Sequence, residues 1–423
     1  MPEIEKLKFL SEEQARTISN HFKTPVFVYS ERCLEVQAER ALNFPNAFGL
    51  TVRYAMKANP NAAILKIFDR KGIHIDASSG YEAKRALMAG IMPENILLTS
   101  QQIPSDLWEL VEQRVSYNAC SLHQLEVYAN HFPNSRVSVR INPGLGSGGI
   151  NRTNTGGEGS SFGIWHEQIG EVFDIATRHG LDIERVHTHI GSGSDPEVWK
   201  RVALISLGIV GKFIDAGHDV SVLNLGGGYK VGRMSYEKST DLQECGKPVE
   251  QAFRDFADKT GRELRLEIEP GTFLVANGGS LIAEVIDIKS TQKYNFVIIN
   301  SGMTEVTRPA LYGAQHPIVI VPIGRKEQET RKYIVSGHCC ESGDILTPAQ
   351  GDSEALMPRE LLRAEIGDLA VIEGAGAYCS GMCTKNYNSY PEAAELLMDN
   401  NGAVKTIRDR QRLEQIIRNE RDI

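Results

Sequence analysis

The chain has 423 residues, 41% of them hydrophobic and 24% charged, which is an ordinary globular composition and a length that favours two domains. Its 54 acidic and 46 basic side chains give a net charge of −8, spread along the sequence, which argues against nucleic acid or an anionic membrane as the main partner. No apolar run approaches the roughly 20 residues that span a bilayer, and the N-terminus lacks a basic segment followed by an apolar one. We therefore expect a cytoplasmic protein.

The seven cysteines are odd in number and include no Cys-x-x-Cys pair. This pattern suggests neither a disulfide framework nor a zinc site. Free thiols in a reducing compartment are the simplest interpretation.

The chain begins with a predicted helix from Ser11 to Phe22 and a strand at residues 26–29. From residue 51 to about 275, short β-branched runs alternate with amphipathic stretches whose apolar positions recur every three or four residues. The runs predict strands at Val52–Lys57, Ile73–Ser78, Ile96–Ser100, Tyr117–Ser121, Val137–Pro143, Val186–Gly191, Val222–Gly227 and Leu266–Gly271. The amphipathic stretches predict helices at Ala62–Lys71, Gly80–Ala89, Pro104–Gln113, His123–Asn130, Glu167–His179, Val198–Ala216 and Pro248–Thr260.

This alternation predicts a TIM (β/α)8 barrel over residues 32–275, since such barrels typically need about 250 residues. An open, doubly wound sheet is the alternative, but its Gly-x-Gly-x-x-Gly turn after a first strand is missing. The glycine-rich stretch 144–163 follows the fifth strand and predicts either a loop at the functional face or a disordered insertion.

After residue 276 the pattern changes to strands without long helices between them. The predicted strands are Ser280–Lys289, Phe296–Asn300, Ile318–Pro322, Lys332–Ser336 and Asp368–Glu373. We interpret residues 1–31 and 276–423 as a second, mostly antiparallel β domain. Its tail, from Val404 to about Glu420, has apolar residues at helical spacing and predicts a closing helix.

Candidate functional residues lie where the barrel strands end, because those ends share one mouth. They are Lys57, Asp76, Ser100, Asn142, His189, Ser192, Gly226, Gly227, Gly228 and Glu269. The glycine triplet lets backbone N–H groups approach an anion closely, although a tight strand-to-helix turn explains a triglycine equally well. A single lysine at the end of a strand is also more often solvated than catalytic. The prediction of a functional site therefore depends on the position that these residues share at the barrel mouth.

The segment His187-Thr188-His189 places two histidines on the same face of a strand. With no cysteine or acidic cluster nearby, the pair falls short of a metal ligand set, and we expect no metal. A histidine stacked on a flat ring needs fewer assumptions. An unpaired Glu269 at the mouth would be costly without a cationic partner, and a protonated pyridine nitrogen is such a partner. Lysine, phosphate site, histidine and carboxylate together point to pyridoxal phosphate held as a Schiff base.

The second domain adds groups that the barrel lacks. Arg308 and Tyr312 lie in Arg308-Pro309-Ala310-Leu311-Tyr312, where either side chain can bind a carboxylate. Cys340 and Tyr378 lie in small-residue turns, although a buried structural thiol and a packed tyrosine are the ordinary interpretations of such residues.

Several motifs, in order along nearly the whole chain, resemble the fold-type III pyridoxal-phosphate decarboxylases, which have an alanine racemase-like fold. The branch most similar is the one that acts on meso-diaminopimelate. The motifs are Tyr54-Ala55-Met56-Lys57-Ala58-Asn59, His189-Ile190-Gly191-Ser192, Gly226-Gly227-Gly228, Glu269-Pro270-Gly271, Arg308-Pro309-Ala310-Leu311-Tyr312, Cys340-Glu341-Ser342 and Gly376-Ala377-Tyr378.

The resemblance implies a role for each matching residue. Lys57 forms the Schiff base, His189 stacks on the pyridine, Glu269 pairs with the ring nitrogen, and Asp76 also belongs to the cofactor site. Ser192, Gly226, Gly227, Gly228 and Tyr378 hold the phosphate, while Arg308, Tyr312, Glu341 and Tyr378 face the substrate. Cys340 and Glu341 enter the neighbouring subunit's site in a homodimer whose interface the β domain helps to form.

The implied reaction is decarboxylation of meso-2,6-diaminopimelate to L-lysine in lysine biosynthesis, with Cys340 or Lys57 returning a proton to Cα. Two positions depart from the family: Thr272 and Tyr390 stand where its members tend to have arginine. The alternatives are a sister decarboxylase acting on ornithine, lysine or a carboxylated polyamine or siderophore precursor, an amino-acid racemase, and a regulator without activity.

Overall fold

The structure, a computed structural model, describes residues 4–146, 156–190 and 193–421. The chain divides into two compact units. The barrel unit comprises Glu35–Lys230 and Lys238–Leu274, and the sheet unit comprises Met1–Leu34, Val231–Glu237 and Val275–Ile423. The short segment Val231–Glu237 therefore belongs to the sheet unit, whereas the sequence placed it in the barrel.

The chain begins with α1 (Glu12–Phe22), β1 (Val26–Ser30) and α2 (Glu31–Leu42). Ser11 caps α1, because its side chain accepts the N–H of Gln14 while the Gln14 side chain accepts the N–H of Ser11. This reciprocal cap fixes the start of the helix at the residue that the sequence predicted.

In the barrel unit, strands and helices alternate along the chain. They are β2 (Leu50–Ala55), α3 (Ala62–Arg70), β3 (His74–Ala77), α4 (Gly80–Met88), β4 (Ile96–Leu98), α5 (Leu107–Glu112), β5 (Ser116–Ala119), α6 (Leu122–His131), β6 (Arg136–Asn142), β7 (Ile164–Trp165), α7 (Ile169–His179), β8 (Asp182–Thr188), α8 (Pro196–Asp215), β9 (Val222–Asn224), α9 (Leu242–Thr260), β10 (Arg265–Ile268) and α10 (Thr272–Val275).

Eight of these strands close into a parallel barrel, in the order β2, β3, β4, β5, β6, β8, β9 and β10, and β10 pairs back onto β2. The additional β7 pairs with β6. This closure confirms the predicted barrel and excludes the open sheet. The carboxyl ends of the strands, with the side chains that follow them, therefore meet at one mouth.

Polar caps and left-handed glycines set most helix limits in the barrel unit. Ser79 and Ser121 accept backbone N–H groups at the starts of α4 and α6, and Gly180 ends α7 at φ +67°. The predicted start of α9 at Pro248 was wrong. Asp241 accepts the N–H groups of Gln243 and Glu244, so the helix begins at Leu242 with the proline inside it.

The sheet unit contains β11 (Gly279–Ser290), β12 (Asn295–Ile299), α11 (Arg308–Tyr312), β13 (Ile318–Val321), β14 (Thr330–Ser336), β15 (Pro348–Ala349), β16 (Asp352–Leu356), β17 (Arg359–Leu362), β18 (Leu369–Ile372), β19 (Ala394–Met398), β20 (Val404–Arg408) and α12 (Leu413–Ile416). Its main sheet has the order β17, β14, β12, β11, β1, β19, β20, with β18 pairing β11 and β13.

That sheet is mostly antiparallel, as predicted, and its parallel pairs are β1 with β19 and β12 with β14. The fully buried β1 runs through its centre, between β11 and β19. Val26 and Val28 pack there with Ile282, Val371 and Leu396 to form the apolar core of the unit.

The predicted helix over 404–420 was wrong. Residues Val404–Arg408 form β20, which pairs antiparallel with β19, and only Leu413–Ile416 is helical. Asp399 accepts the N–H groups of Asn401 and Ala403 in the turn before β20, and Arg408 pairs with Glu395 across the strands (3.0 Å). These contacts form only in the folded sheet, so helical spacing alone does not reveal them.

Among the described helices, none combines the length and the apolarity that a bilayer crossing requires.

Candidate active site

Lys57 lies at the mouth of the barrel, in a single turn of 3-10 helix at Met56–Ala58 that directly follows β2. Its side chain is exposed and lines a cavity of about 540 Å³ in the barrel unit. The other lining residues are Ser78, Ser79, Gly80, Tyr81, Lys84, Thr99, Ser100, Gln101, Gln102, Ile103, Pro104, Ser105, Asp106, Cys120, Arg140 and Phe162. The predicted lysine thus opens onto a space large enough for a small-molecule ligand.

Two buried carboxylates face the charge of Lys57 at this end of the barrel. Asp76 lies on β3, is 3% exposed, and its Oδ1 has no hydrogen-bond partner among the described residues. Glu269 directly follows β10 and is 7% exposed. Burial raises the pKa of both carboxyl groups, the Asp76 charge raises that of Glu269 further, and Lys57 opposes both shifts.

Glu269 has two polar neighbours, one on the adjacent strand β9 and one on β8. Asn224, at the end of β9, donates its Nδ2 hydrogen to Oε1 of Glu269 (2.6 Å). His187, on β8, places Nε2 3.4 Å from Oε2 without forming a hydrogen bond. Asn118 Nδ2 lies 2.7 Å from His187 Nδ1, and an amide nitrogen can only donate, so the proton of the neutral imidazole is on Nε2. Burial, and next Arg140, lower the pKa of His187 well below its usual value, which keeps the ring neutral.

His189 follows β8 and contacts the glycine turn after β9. Its Nδ1 accepts the N–H of Gly227 (2.9 Å), and burial lowers its pKa well below the usual value. The N–H of Gly226 is donated to Asn224 Oδ1 (2.8 Å). The predicted phosphate-binding N–H groups of Gly226 and Gly227 therefore have protein partners in this structure.

The turn accepts only glycine at its first two positions. Gly226 has φ +71°, and an added Cβ would lie 2.2 Å from His189 Nδ1. A Cβ on Gly227 would lie 2.1 Å from the carbonyl oxygen of Glu269. The backbone of the turn after β9 thus passes very close to His189 and Glu269, and only residues without a side chain fit there.

These residues fit pyridoxal phosphate. Glu269 is a buried carboxylate whose raised pKa calls for a cationic partner such as a pyridinium, and Asp76 has an oxygen without a partner. Lys57 supplies an amine, and neutral His189 is a flat ring beside the glycine turn. Ser192, the remaining predicted phosphate ligand from the barrel, lies with Gly191 outside the described residues.

The other predicted site residues belong to the sheet unit. Arg308 begins α11 and Tyr312 ends it, and both side chains are half-buried. Tyr378 is half-buried and has φ +56°, a left-handed conformation that is costly for a tyrosine and occurs most often at functional sites. Tyr312, Tyr378 and Cys379 lie close enough to Arg308 that their ionised forms would interact with it.

Cys340 and Glu341 lie in an exposed loop of the sheet unit, and of the seven cysteines, all in the described part of the chain, only Cys340 is exposed. Its N–H is donated to Asn388 Oδ1 (2.8 Å), and Tyr387 donates its hydroxyl to Glu341 Oε2 (3.5 Å). The turn at 386–390 therefore anchors the loop. Asn386, Asn388 and Ser389 all have positive φ there, which is strained for residues other than glycine.

The two departures from the family pattern have different surroundings. Tyr390 stacks on His338, with ring centroids 3.6 Å apart, and donates its hydroxyl to the His338 carbonyl (3.2 Å). The tyrosine therefore packs against the segment that leads into the Cys340 loop. Thr272 is the half-buried first residue of α10, and it brings no charge to the end of β10.

The sequence missed the partners of the predicted residues. Asn224 ends β9, two residues before Gly226, and only its position at a strand end could have indicated it. Asn118 and Arg140 lie on β5 and β6 and act on His187, which the sequence had considered only as a metal ligand. Their roles depend on which strands become neighbours when the barrel closes.

The family model described as "Pyridoxal-dependent decarboxylase, pyridoxal binding domain" matches residues 35–276. This match covers more than half of the chain and includes the whole barrel. The chain belongs to the pyridoxal-dependent decarboxylases, and its cofactor is pyridoxal phosphate.

Within that family the chain is similar to diaminopimelate decarboxylases. It is 34% identical over 416 residues to the diaminopimelate decarboxylase of Escherichia coli (strain K12), covering 96% of both chains. A crystal structure of diaminopimelate decarboxylase superposes with a TM-score of 0.89, at 33% identity and 99% coverage of both chains. That of the Helicobacter pylori enzyme, complexed with L-lysine, gives 0.83 at 28% identity, covering 95% of this chain and 98% of that one.

Proposed function

We propose that this protein decarboxylates meso-2,6-diaminopimelate to L-lysine and CO₂, as the last step of lysine synthesis. The observation that supports the chemistry is the buried Glu269, held by Asn224 and facing the charge of Lys57 at the barrel mouth. The similarity to diaminopimelate decarboxylases over nearly the full length of both chains supports the choice of substrate.

Bound pyridoxal phosphate supplies an electron sink for the pair that is left on Cα when CO₂ departs. In our proposal, Lys57 would hold the cofactor covalently through its side-chain amine. Glu269, as a carboxylate, keeps the proton on the ring nitrogen, and Asn224 fixes the direction in which the carboxylate points. We assign His189 to the ring face and Asp76 to the cofactor site, and Ser192, Gly226, Gly227, Gly228 and Tyr378 to the phosphate.

We assign Arg308, Tyr312, Glu341 and Tyr378 to the substrate, and the return of a proton to Cα to Cys340 or Lys57. We further propose a homodimer in which Cys340 and Glu341 of one subunit complete the site of the other. All seven cysteines are free, which supports a reducing compartment, the cytoplasm.

The substrate is tested by measuring CO₂ release from meso-diaminopimelate, L-lysine, D-lysine, L-ornithine and carboxylated polyamines. We expect turnover of diaminopimelate to exceed the others, with L-lysine as the product. The neutral Thr272 favours a second candidate, a sister decarboxylase whose substrate lacks a distal carboxylate. Brisk turnover of ornithine or lysine with none of diaminopimelate would establish that second candidate in place of the first.

Substitution of the exposed thiol tests the proton-return step. We expect Cys340→Ala to keep the absorbance of the bound cofactor and to lower kcat by about 10²-fold or more, the usual effect of losing a general acid. Cys339→Ala is the matched control, because Cys339 is half-buried and burial raises its pKa to about 12. An unchanged kcat in Cys340→Ala would assign the proton return to Lys57.

Mixing two inactive variants tests the shared site. If Cys340 acts in the neighbouring subunit, hybrids of Lys57→Ala and Cys340→Ala subunits contain one intact site each. Random mixing then restores about one quarter of wild-type activity. Mixed subunits that exchange freely but stay inactive would show that each site is built from one chain.

A further inference from the structure

Arg233 is a buried arginine of the sheet unit that no part of the proposed reaction uses. Its side chain is 6% exposed, and its Nε donates to the carbonyl oxygen of Gly374 (3.0 Å). Its Nη2 has no hydrogen-bond partner, and the guanidinium forms no salt bridge with a carboxylate in the described part of the chain. A buried guanidinium in this condition is costly unless an anion is supplied from outside the chain.

Arg308 is close enough to Arg233 for their charges to interact, and it also lacks a carboxylate partner among the described residues. Its Nη1 donates to Nε2 of His316 (2.8 Å), and His316 Nδ1 donates to the carbonyl oxygen of Glu373 (3.0 Å). Since Nδ1 carries the hydrogen and burial lowers the pKa of His316 well below its usual value, His316 is neutral. It therefore orients Arg308 without cancelling its charge.

The carboxylate closest in sequence, Glu237, acts on both arginines through its charge but, within the described part of the chain, accepts no hydrogen bond from either guanidinium group. Glu237 Oε2 accepts the backbone N–H groups of Arg233 (2.8 Å) and Met234 (3.1 Å) instead of the guanidinium hydrogens. Burial, and next the charge of Arg308, lower the pKa of Arg233 to about 9. The two guanidinium groups thus repel each other inside the sheet unit.

Other arginines of the same unit do have carboxylate partners. Arg325 Nη1 lies 2.6 Å from Asp368, and Arg363 Nε lies 2.7 Å from Glu327. The sheet unit therefore supplies carboxylates to several of its arginines, whereas Arg233 and Arg308 have none among the described residues. An oxyanion that binds two guanidinium groups at once would relieve both the repulsion and the missing hydrogen bonds.

We propose that Arg233 and Arg308 form a binding site for an oxyanion. The oxyanion has two possible sources, the phosphate of the cofactor and the second carboxylate of the substrate, and the latter rests on the proposed function. Gly228 ends the glycine turn and Arg233 follows it by five residues, a length of chain that spans at most about 18 Å.

The test compares wild-type protein with Arg233→Gln, which removes the charge, Arg233→Lys, which keeps it, and Arg363→Gln, a control at a partly buried ion pair. One measurement is the Kd of the apoenzyme for pyridoxal phosphate and for pyridoxal, which lacks the phosphate. A second is KM for meso-diaminopimelate at saturating cofactor. The third is the shift in Tm that inorganic phosphate causes in the apoenzyme.

Loss of a charged hydrogen bond should weaken the affected binding by about 10- to 100-fold in Arg233→Gln. A rise in Kd for pyridoxal phosphate, with pyridoxal unaffected, identifies the phosphate as the oxyanion. A rise in KM with kcat nearly unchanged identifies the carboxylate. Arg233→Lys should fall between wild type and Arg233→Gln, and Arg363→Gln should match wild type in all three measurements.

The apoenzyme of Arg233→Gln should be at least as stable as wild type, because the substitution removes an uncompensated buried charge. Wild-type values for Kd, KM and the phosphate-induced shift in Tm would overturn the proposal. If wild-type protein does not decarboxylate diaminopimelate, the proposed substrate fails, while the cofactor and phosphate measurements still decide the role of Arg233.

Discussion

Lys57→Ala should abolish covalent attachment of the cofactor and lower turnover to below about 10⁻³ of wild type, since no other group in the family's scheme forms the Schiff base. The residue occupies the first strand end of the barrel and opens onto the 540 Å³ cavity, where its charge acts on Asp76 and Glu269. Attachment is measured by borohydride trapping followed by mass spectrometry, and turnover by CO₂ release.

Lys84→Ala is the matched control for this experiment. Lys84 lines the same cavity, and its side chain is half exposed. Its amine forms a salt bridge with Asp106, so it is paired with a carboxylate. We expect this variant to keep both the trapped cofactor and the rate. Borohydride trapping that persists in Lys57→Ala and disappears in Lys84→Ala would reverse the assignment.

The barrel could be predicted from sequence because each of its units is local. Each unit consists of a β-branched run, a polar cap and an amphipathic stretch, and all three lie within about 30 residues of sequence. Ser79 and Ser121, which cap α4 and α6, are examples. The sheet unit was harder, because β1 pairs with β11 and β19 from much later in the chain. The strand β20 shows the same limit, since its pairing with β19 outweighs the helical spacing of its apolar residues.

In the candidate site, the residues at strand ends could be predicted, but their protonation states could not. Glu269 is an ordinary carboxylate until β9 places Asn224 beside it and β3 brings the charge of Asp76 near. Likewise, the pKa of His187 falls well below its usual value because of burial and next because of Arg140. Such states follow from the order of strands around the closed barrel, and no single segment of sequence contains that order.

Two glutamates on one strand show how strongly this order matters. Glu267 and Glu269 lie two residues apart on or just beyond β10, so their side chains project to the same side. Burial would raise the pKa of Glu267, but Arg53 (2.9 Å) and Arg185 (3.0 Å) lower it below its usual value. Glu269 has no arginine partner among the described residues, and its pKa is raised. Two arginines of the barrel thus neutralise Glu267, whereas Glu269 remains available to a cationic ligand.

Glu269→Gln should therefore lower kcat by about 10²–10³-fold, the cost of losing one preorganised electrostatic group, while the shape of the site and the contact with Asn224 remain. The absorbance of the bound cofactor should shift as well, because the ring nitrogen loses the carboxylate that keeps it protonated. A variant with wild-type kcat and spectrum would refute the assignment of Glu269 to the ring nitrogen.

The same substitution should change how the stability of the apoenzyme depends on pH. The pKa of Glu269 is about 8 in the folded apoenzyme, above its usual 4.5, mainly because of burial and next because of Asp76. Its contribution to stability is therefore complete below about pH 4.5 and is lost as the pH rises through 8. In thermal unfolding, Glu269→Gln should match wild type near pH 4.5 and exceed it near pH 8.

Glu267→Gln is the contrasting variant, since it leaves two buried arginines without their carboxylate and should destabilise the protein by about 3–5 kcal/mol. Pyridoxal phosphate should raise the Tm of wild type at pH 8 more than that of Glu269→Gln, because only the carboxylate gains a cationic partner. Glu267→Gln and Glu269→Gln would then change the stability of the protein in opposite directions. Destabilisation by both substitutions would show that Glu269 is satisfied by the protein alone.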